Sequence, residues 1–556
     1  MFKKRFLSLA LILALLFTTA CVNVQLNITV KFESNGGTPC ASAEFFRATS
    51  MITMPDNPVK EGYTFGGWYW DNGVWEKPFT INSVLDQPLS DKMELTVYAK
   101  WLSVNGGGGE YVPAGEYVIP KYTSESKLKI MAWHCDFGGA DSKGNFKQQW
   151  FDDCAEAGFN ILIPAPNQFD FAQNSQQALK AMDYAAAAGL RVMVQDSDVS
   201  GAISSDKSVW NPQNIELYKN HQAFAGLNIT DEPRASDFQW IKDKADKFYE
   251  TFPDADKLFY VNLLPSAVGS SGLGAPTFKA YLDDYMRITG GNILSYDNFC
   301  LLQDNTVRSS FFSDTETARK VADKYNAPLV NYLQSIPIVL DGGVSYKDPT
   351  EADLRWQIAV NQAYGLDGFA YFSYTSLDDW GPVTYGDALV TDAADVRGAG
   401  VKLPKYHYAK TVNNEALSWD NVYLNFKWKE TFGVKDGNGS FCYLFAAMKD
   451  VYDAAVDQID GLKGITSTRE ILLGCFDDKD GNKGFMLTNA TNPSEGKTAN
   501  VTLQFKKPTE KDKTGYSGVQ IYEKGVPRII DLDAQGKVTV ELEPGEGKFA
   551  IPLVKA

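Results

Sequence analysis

Phe224-Ala-Gly-Leu-Asn-Ile-Thr-Asp-Glu-Pro233 decides how this chain is read. Phe224, Leu227 and Ile229 supply the apolar run of a short buried strand. Pro233 has no N–H to give, so the ladder stops there. Two carboxylates, Asp231 and Glu232, are left where a strand opens into a loop. Strict alternation would send them to opposite sides of the strand. The rival account is local: the pair caps a helix starting near Ser236 or Asp237.

Working outward, seven further apolar runs of strand length surround this one. They are Lys129–Cys135, Asn160–Ala165, Arg191–Asp196, Leu258–Leu264, Ile293–Phe299, Leu329–Gln334 and Gly368–Tyr374. Helical patterns separate most of them, among them Ser175 to Gly189, Asp237 to Phe252 and Asp353 to Gly365. Eight strand–helix units predict an α/β fold, a (β/α)₈ TIM barrel over residues 125–425. A doubly wound open sheet is the structural rival, but no Gly-x-Gly-x-x-Gly follows the first strand.

In such a barrel the C-terminal strand ends converge on one pocket. Here those ends carry Trp133, His134 and Asp136, then Asp196, then Asp231 and Glu232. Asn262, Tyr296 and Asp297, Tyr332 and Gln334, Tyr374 and Trp380 follow. Aromatics mixed with carboxylates and amides suit a carbohydrate, with sugar C–H faces on the rings and hydroxyls on the polar groups. None of these ends carries the lysine of Schiff-base chemistry, and no phosphate cradle is visible. The three histidines, His134, His221 and His407, lack zinc or triad spacing. No metal or cofactor is expected. A net charge of −16 argues against nucleic acid as a partner.

The stretch His221–Pro233 resembles the fourth strand of clan A-type glycoside hydrolase barrels, where a Glu at the strand tip is the general acid/base. That resemblance puts Glu232 in the acid/base role. Gly368-Phe-Ala-Tyr-Phe-Ser-Tyr374 with Trp380 resembles the eighth strand, whose Trp floors the sugar subsite. One departure stands out. The family's nucleophilic Glu ends strand seven, and here that strand reads Leu329-Val-Asn-Tyr-Leu-Gln-Ser335. Asp297 is the substitute, unless Asp297 and Asn298 only make a turn; Asp196 and Asp231 rank behind it. The implied function is a glycoside hydrolase with Glu232 and Asp297 catalytic. The alternative is a non-catalytic glycan-binding protein with a degenerate barrel.

The flanks complete the plan. Met1-Phe-Lys-Lys-Arg5 and the apolar run to Phe17 form a short export signal. Thr18-Thr-Ala-Cys21 resembles a bacterial lipobox, with Thr18 where that motif has Leu; it implies lipid on Cys21 and a cell-surface location. Plain secretion is the alternative. Within residues 22–102, Thr29–Gly37, Glu61–Tyr69 and Thr96–Trp101 resemble the Listeria–Bacteroides, or internalin B-type, repeat. That implies a small β-rich spacer, in which Trp68 and Tyr69 either fill the core or bind carbohydrate. An adhesin acting through this module is a third, weaker reading. A Gly-rich linker occupies 103–124, and turn-punctuated strands over 426–556 predict a β-sandwich.

Overall fold

The computed structural model describes residues 27–46, 94–103, 117–122, 126–135, 146–165, 169–200, 207–254, 256–341, 343–379, 381–392, 395–436, 461–524 and 526–555, plus residue 459 and scattered positions between 52 and 87. Cys21, Asp136 and Trp380 lie outside the described residues. The chain divides into two compact units, Met1–Ser103 and Val104–Ala556.

The first unit is a four-stranded sheet in the order Ala43–Phe46, Asn27–Glu33, Glu94–Ser103, Tyr63–Tyr69. Its two central strands run parallel and the outer pairings are antiparallel. Val30, Phe32, Val97 and Trp68 fill the core. Trp68 meets Phe32 edge-on with ring centroids 4.9 Å apart. So small a sheet has little else to bury, and Trp68 serves packing rather than a ligand.

In the second unit eight parallel strands close a barrel. In chain order they are Lys129–Cys135, Ile161–Pro164, Arg191–Val194, Phe224–Asp231, Leu258–Leu263, Leu294–Asp297, Leu329–Gln334 and Gly368–Phe372. Met131, Ile163, Met193, Ala225, Tyr260, Val330, Tyr332 and Ala370 point inward and pack the interior. The alternate positions, such as Ile130, Leu227, Ile229, Phe259 and Phe369, pack against the helix ring. That division follows from the two-residue period of a strand, except in strand four, where the extra residue Ala225 puts Ala225 and Leu227 on opposite faces. Gly226 lets strands four and five approach: a Cβ there would lie 2.0 Å from the carbonyl oxygen of Leu258. Cys135, Cys154 and Cys300 are buried, small apolar fillers in their surroundings.

Beyond the barrel, a six-stranded and a three-stranded antiparallel sheet share one core. Val434, Leu473 and Ile521 from the first face Leu462, Val501 and Val540 from the second. The six-stranded sheet packs on the barrel's Glu351–Ala363 helix, where Gly545 and Gly547 leave room for Ala352 and Ala359.

Candidate active site

Two local irregularities shape the tip of strand four. Asn228 pairs with Tyr260, but Thr230 then pairs with Val261 and Asp231 with Asn262. The register shift is a β-bulge that inserts one residue. Without it, Thr230 would face Asn262; with it, the carboxylate does. Glu232 then takes a left-handed backbone, φ 47°. For a side chain of this kind that costs of order 1–3 kcal/mol, and it persists only where the surroundings fix it. Here the Glu232 N–H donates to the Asn262 carbonyl at 2.8 Å. The Tyr281 hydroxyl holds the Pro233 carbonyl at 2.5 Å. Alternation therefore fails between Asp231 and Glu232, and both carboxyls reach the barrel mouth.

Asn262 organises the polar floor. Its Nδ2 donates to Asp231 Oδ1 at 3.0 Å and to Asp297 Oδ1 at 2.9 Å. Its Oδ1 accepts from the Ser295 hydroxyl at 3.2 Å. Ser295 and Tyr260 hydroxyls lie 3.0 Å apart, and Tyr260 donates to the Tyr332 hydroxyl at 3.0 Å. This column of polar groups runs from the mouth into the barrel.

Glu232 lies close enough for its charge to act on the Asp297 carboxyl. Burial raises the pKa of Asp297 well above the ordinary value, and the charges of Glu232 and Asp231 push it further the same way. Asp231 is raised to about 6, by burial first and by Glu232 second, against the Asn262 hydrogen bond that lowers it. Asp231 and Glu232 keep solvent-exposed surface while Asp297 is buried beneath them. The carboxyl of Asp231 thus sits in a depression, walled by protein and open upward.

An aromatic wall stands beside these carboxyls. Trp133 stacks on Phe372 with centroids 4.9 Å apart and planes 22° apart. Phe372 also meets Phe299 at 4.9 Å and Tyr385 at 6.0 Å. All four rings are half-buried. Tyr385 comes from the strand Val383–Tyr385, which pairs with Ile338–Leu340. Its pKa is raised, first by burial and then by the charge of Glu232. His134, the last residue but one of strand one, has φ 57° and lies beside the Thr375 hydroxyl at 3.5 Å. Burial lowers its pKa to about 4, so it is neutral at physiological pH.

The structure brings together Glu232, Asp297, Asp231 and Asn262, with Tyr332 below and Trp133 alongside. Four other expected site residues point elsewhere. Asp196 is buried against Tyr218, whose hydroxyl donates to it at 3.1 Å; burial raises its pKa to about 7. Tyr296 faces the helices, its hydroxyl 3.4 Å from Thr315 and its ring against Phe278. Since Asp297 points inward, its sequence neighbour cannot. Gln334 spends its amide on loop backbone, accepting from Leu301 N–H and donating to the Leu301 and Lys347 carbonyls. Tyr374 packs on Phe159 outside the barrel. Sequence reasoning missed Tyr260, Ser295 and Tyr385. The first two sit two residues before Asn262 and Asp297, and alternation could have found them; Tyr385 lies in a loop hairpin with no such signal.

Comparison with known proteins bears on the two units differently. Residues 29–100 match the Listeria-Bacteroides repeat domain. This repeat is the first unit's four-stranded sheet. A "Putative Gly-rich membrane protein" of Evansella cellulosilytica is 41% identical over 88 residues, which span 15% of this chain and 10% of that protein. Among solved structures, a β-galactosidase from the psychrophilic Marinomonas ef1 aligns at TM-score 0.39 and 10% identity, over 57% of this chain and 65% of that one. A glycoside hydrolase family 30 subfamily 8 xylanase, Xyn30A, from Clostridium acetobutylicum aligns at TM-score 0.36 and 10% identity, over 78% and 97%. Such scores leave the chemistry of the barrel to be argued from its own residues.

Proposed function

We propose that the barrel is a glycoside hydrolase in which Glu232 and Asp297 are the catalytic carboxyls, Glu232 giving the proton to the leaving oxygen. One observation carries this reading: Asp231, Glu232 and Asp297 gather around Asn262 at the mouth, beside half-buried rings suited to a sugar face. A proton-holding carboxyl near neutral pH is what protonation of a glycosidic oxygen needs. Glu232, the exposed member, meets the substrate; Asp297 lies buried beneath it. No cofactor enters this chemistry.

The substrate is an oligo- or polysaccharide met outside the cell. The basic n-region, the short apolar run and Thr18-Thr-Ala-Cys21 support export and a lipid anchor at Cys21. The repeat would then space the barrel from the membrane. The test is hydrolysis of a panel of 4-nitrophenyl glycosides and oligosaccharides by wild type and Glu232→Gln. Loss of roughly 10²–10⁴-fold in rate is expected for removal of a general acid. Full activity in Glu232→Gln on any cleaved substrate refutes the assignment. The tying-up of Gln334, where a second carboxylate would stand on strand seven, favours one other reading, a glycan-binding barrel without turnover. Calorimetric binding of an oligosaccharide that wild type never cleaves would decide for it.

A further inference from the structure

A second polar cleft opens in the seam between barrel and sandwich, and it shares no residue with the barrel mouth. Its walls come from the barrel helices Glu351–Ala363 and Pro404–Leu417 and from the sandwich strands Gly518–Glu523 and Gly547–Leu553. It holds about 40 Å³ of space, roughly three times what a single water needs. One wall is Arg355 with Glu415. The guanidinium donates to the two Glu415 oxygens at 3.0 and 3.1 Å and to Glu351 at 2.7 Å, so this wall is already paired. Trp419 and Tyr522 make another wall, their rings stacked with centroids 5.9 Å and planes 22° apart.

Two lining residues are not paired off in this way. Gln362 is 6% exposed, and its Nε2 meets no acceptor in the protein. Glu546 is 3% exposed, and its Oε1 meets no donor. The other Glu546 oxygen is occupied: it accepts from the Glu543 N–H at 2.9 Å and lies 3.5 Å from Lys548 Nζ. A buried donor and a buried acceptor left unmatched each destabilise the fold. A ligand that offers one acceptor and one donor relieves both. Charge narrows the choice. An anion would be repelled by Glu415 and Glu546, and a cation by Arg355 and Lys548. A neutral hydroxyl meets neither objection, and it can both donate and accept.

We propose that this cleft is a second, non-catalytic binding site that takes two neighbouring hydroxyls of a sugar or polyol. One hydroxyl donates to Glu546 Oε1, and its neighbour accepts from Gln362 Nε2. The half-buried Tyr522 ring suits the C–H groups between them. The site breaks no bond and needs no general acid, so it stands whether or not the barrel mouth hydrolyses anything.

The test is titration of the full chain with glycerol, xylose, glucose and galactose, followed by calorimetry and ligand-observed NMR. Wild type is compared with Gln362→Met, Glu546→Gln and Glu232→Gln. Gln362→Met keeps the side chain's length and removes the donor. In Glu546→Gln the amide oxygen keeps the Glu543 N–H, and the NH₂ group replaces the free acceptor with a donor. Saturable binding is expected, weakened roughly 3–10-fold by Gln362→Met and further by Glu546→Gln, and unchanged by Glu232→Gln. Without ligand, Gln362→Met should melt at or above the wild-type temperature, since the lost amide had no partner. A lower melting temperature means the amide serves the fold itself and overturns the proposal. Binding of glycerol as tight as that of the sugars assigns the site to free polyols; sugars that bind where glycerol does not assign it to saccharides, and either result upholds the pair of hydroxyls. No saturable binding by any of the four compounds leaves a cleft for water only and overturns the proposal. Binding that neither seam variant weakens, or that Glu232→Gln abolishes, belongs to the mouth and overturns it too.

Discussion

Asn262→Ala removes the amide that ties the site together, and its effect should depend on pH. The substitution deletes donors 3.0 Å from Asp231 and 2.9 Å from Asp297, and the acceptor of Ser295. A hydrogen bond to a charged group is worth about 1.5–3 kcal/mol. The Asn262 bond lowers the pKa of Asp231, which stands raised to about 6. Losing about 1.5 kcal/mol of preference for the ionised form raises that pKa by about one unit. Catalysis that needs Asp231 ionised has the acid limb of kcat/KM near 6 in wild type, and the limb moves to roughly 7 in the variant. The variant should lose about tenfold more activity below the limb than above it. The assay is kcat/KM for a cleaved 4-nitrophenyl glycoside between about pH 5 and pH 9. A loss of equal size at every pH, or an unmoved acid limb, would refute the reasoning. Looser spacing of the carboxyls should lower kcat more than it raises KM.

Four other outcomes follow from the same structure. Asp297→Asn should abolish turnover yet stabilise the fold at neutral and alkaline pH. A carboxyl raised in the folded state costs stability as pH rises from its unfolded value near 4 through its folded value, so the gain over wild type in urea midpoint should vanish below about pH 4. Asp196→Asn should behave alike in stability while leaving kcat unchanged, with the gain complete above its folded pKa of about 7; loss of activity would return Asp196 to the site. Gln334→Glu should not create a second carboxylate for catalysis, since it replaces the donor to the Leu301 and Lys347 carbonyls; each acceptor left unpaired costs about 1–3 kcal/mol, readable in thermal unfolding. Cys21→Ser should move the protein from the membrane to the soluble fraction, and a variant that stays membrane-bound counts against the lipid anchor.

The barrel was legible in the sequence because each strand is a short apolar run between helical patterns, and burial on both faces demands that composition. Pro233 marked where strand four ends, and chain order then put every strand tip on one side. Asp231, Glu232, Asn262 and Asp297 were therefore all readable as residues at the mouth. Which of them meet was not. The face a strand residue presents depends on parity, and one inserted residue reverses it. The bulge before Thr230 exists only as a mismatch with strand five, more than twenty residues away, and the left-handed turn at Glu232 only because Asn262 and Tyr281 hold its neighbours. The same parity sent Tyr296 outward once Asp297 pointed in. Gln334 reads like a sugar ligand until the loop carbonyls of Leu301 and Lys347 claim it. The sequence determined which side chains gather at the mouth of the barrel; the pairing of strands, which local composition does not encode, decided which carboxyls meet the Asn262 amide.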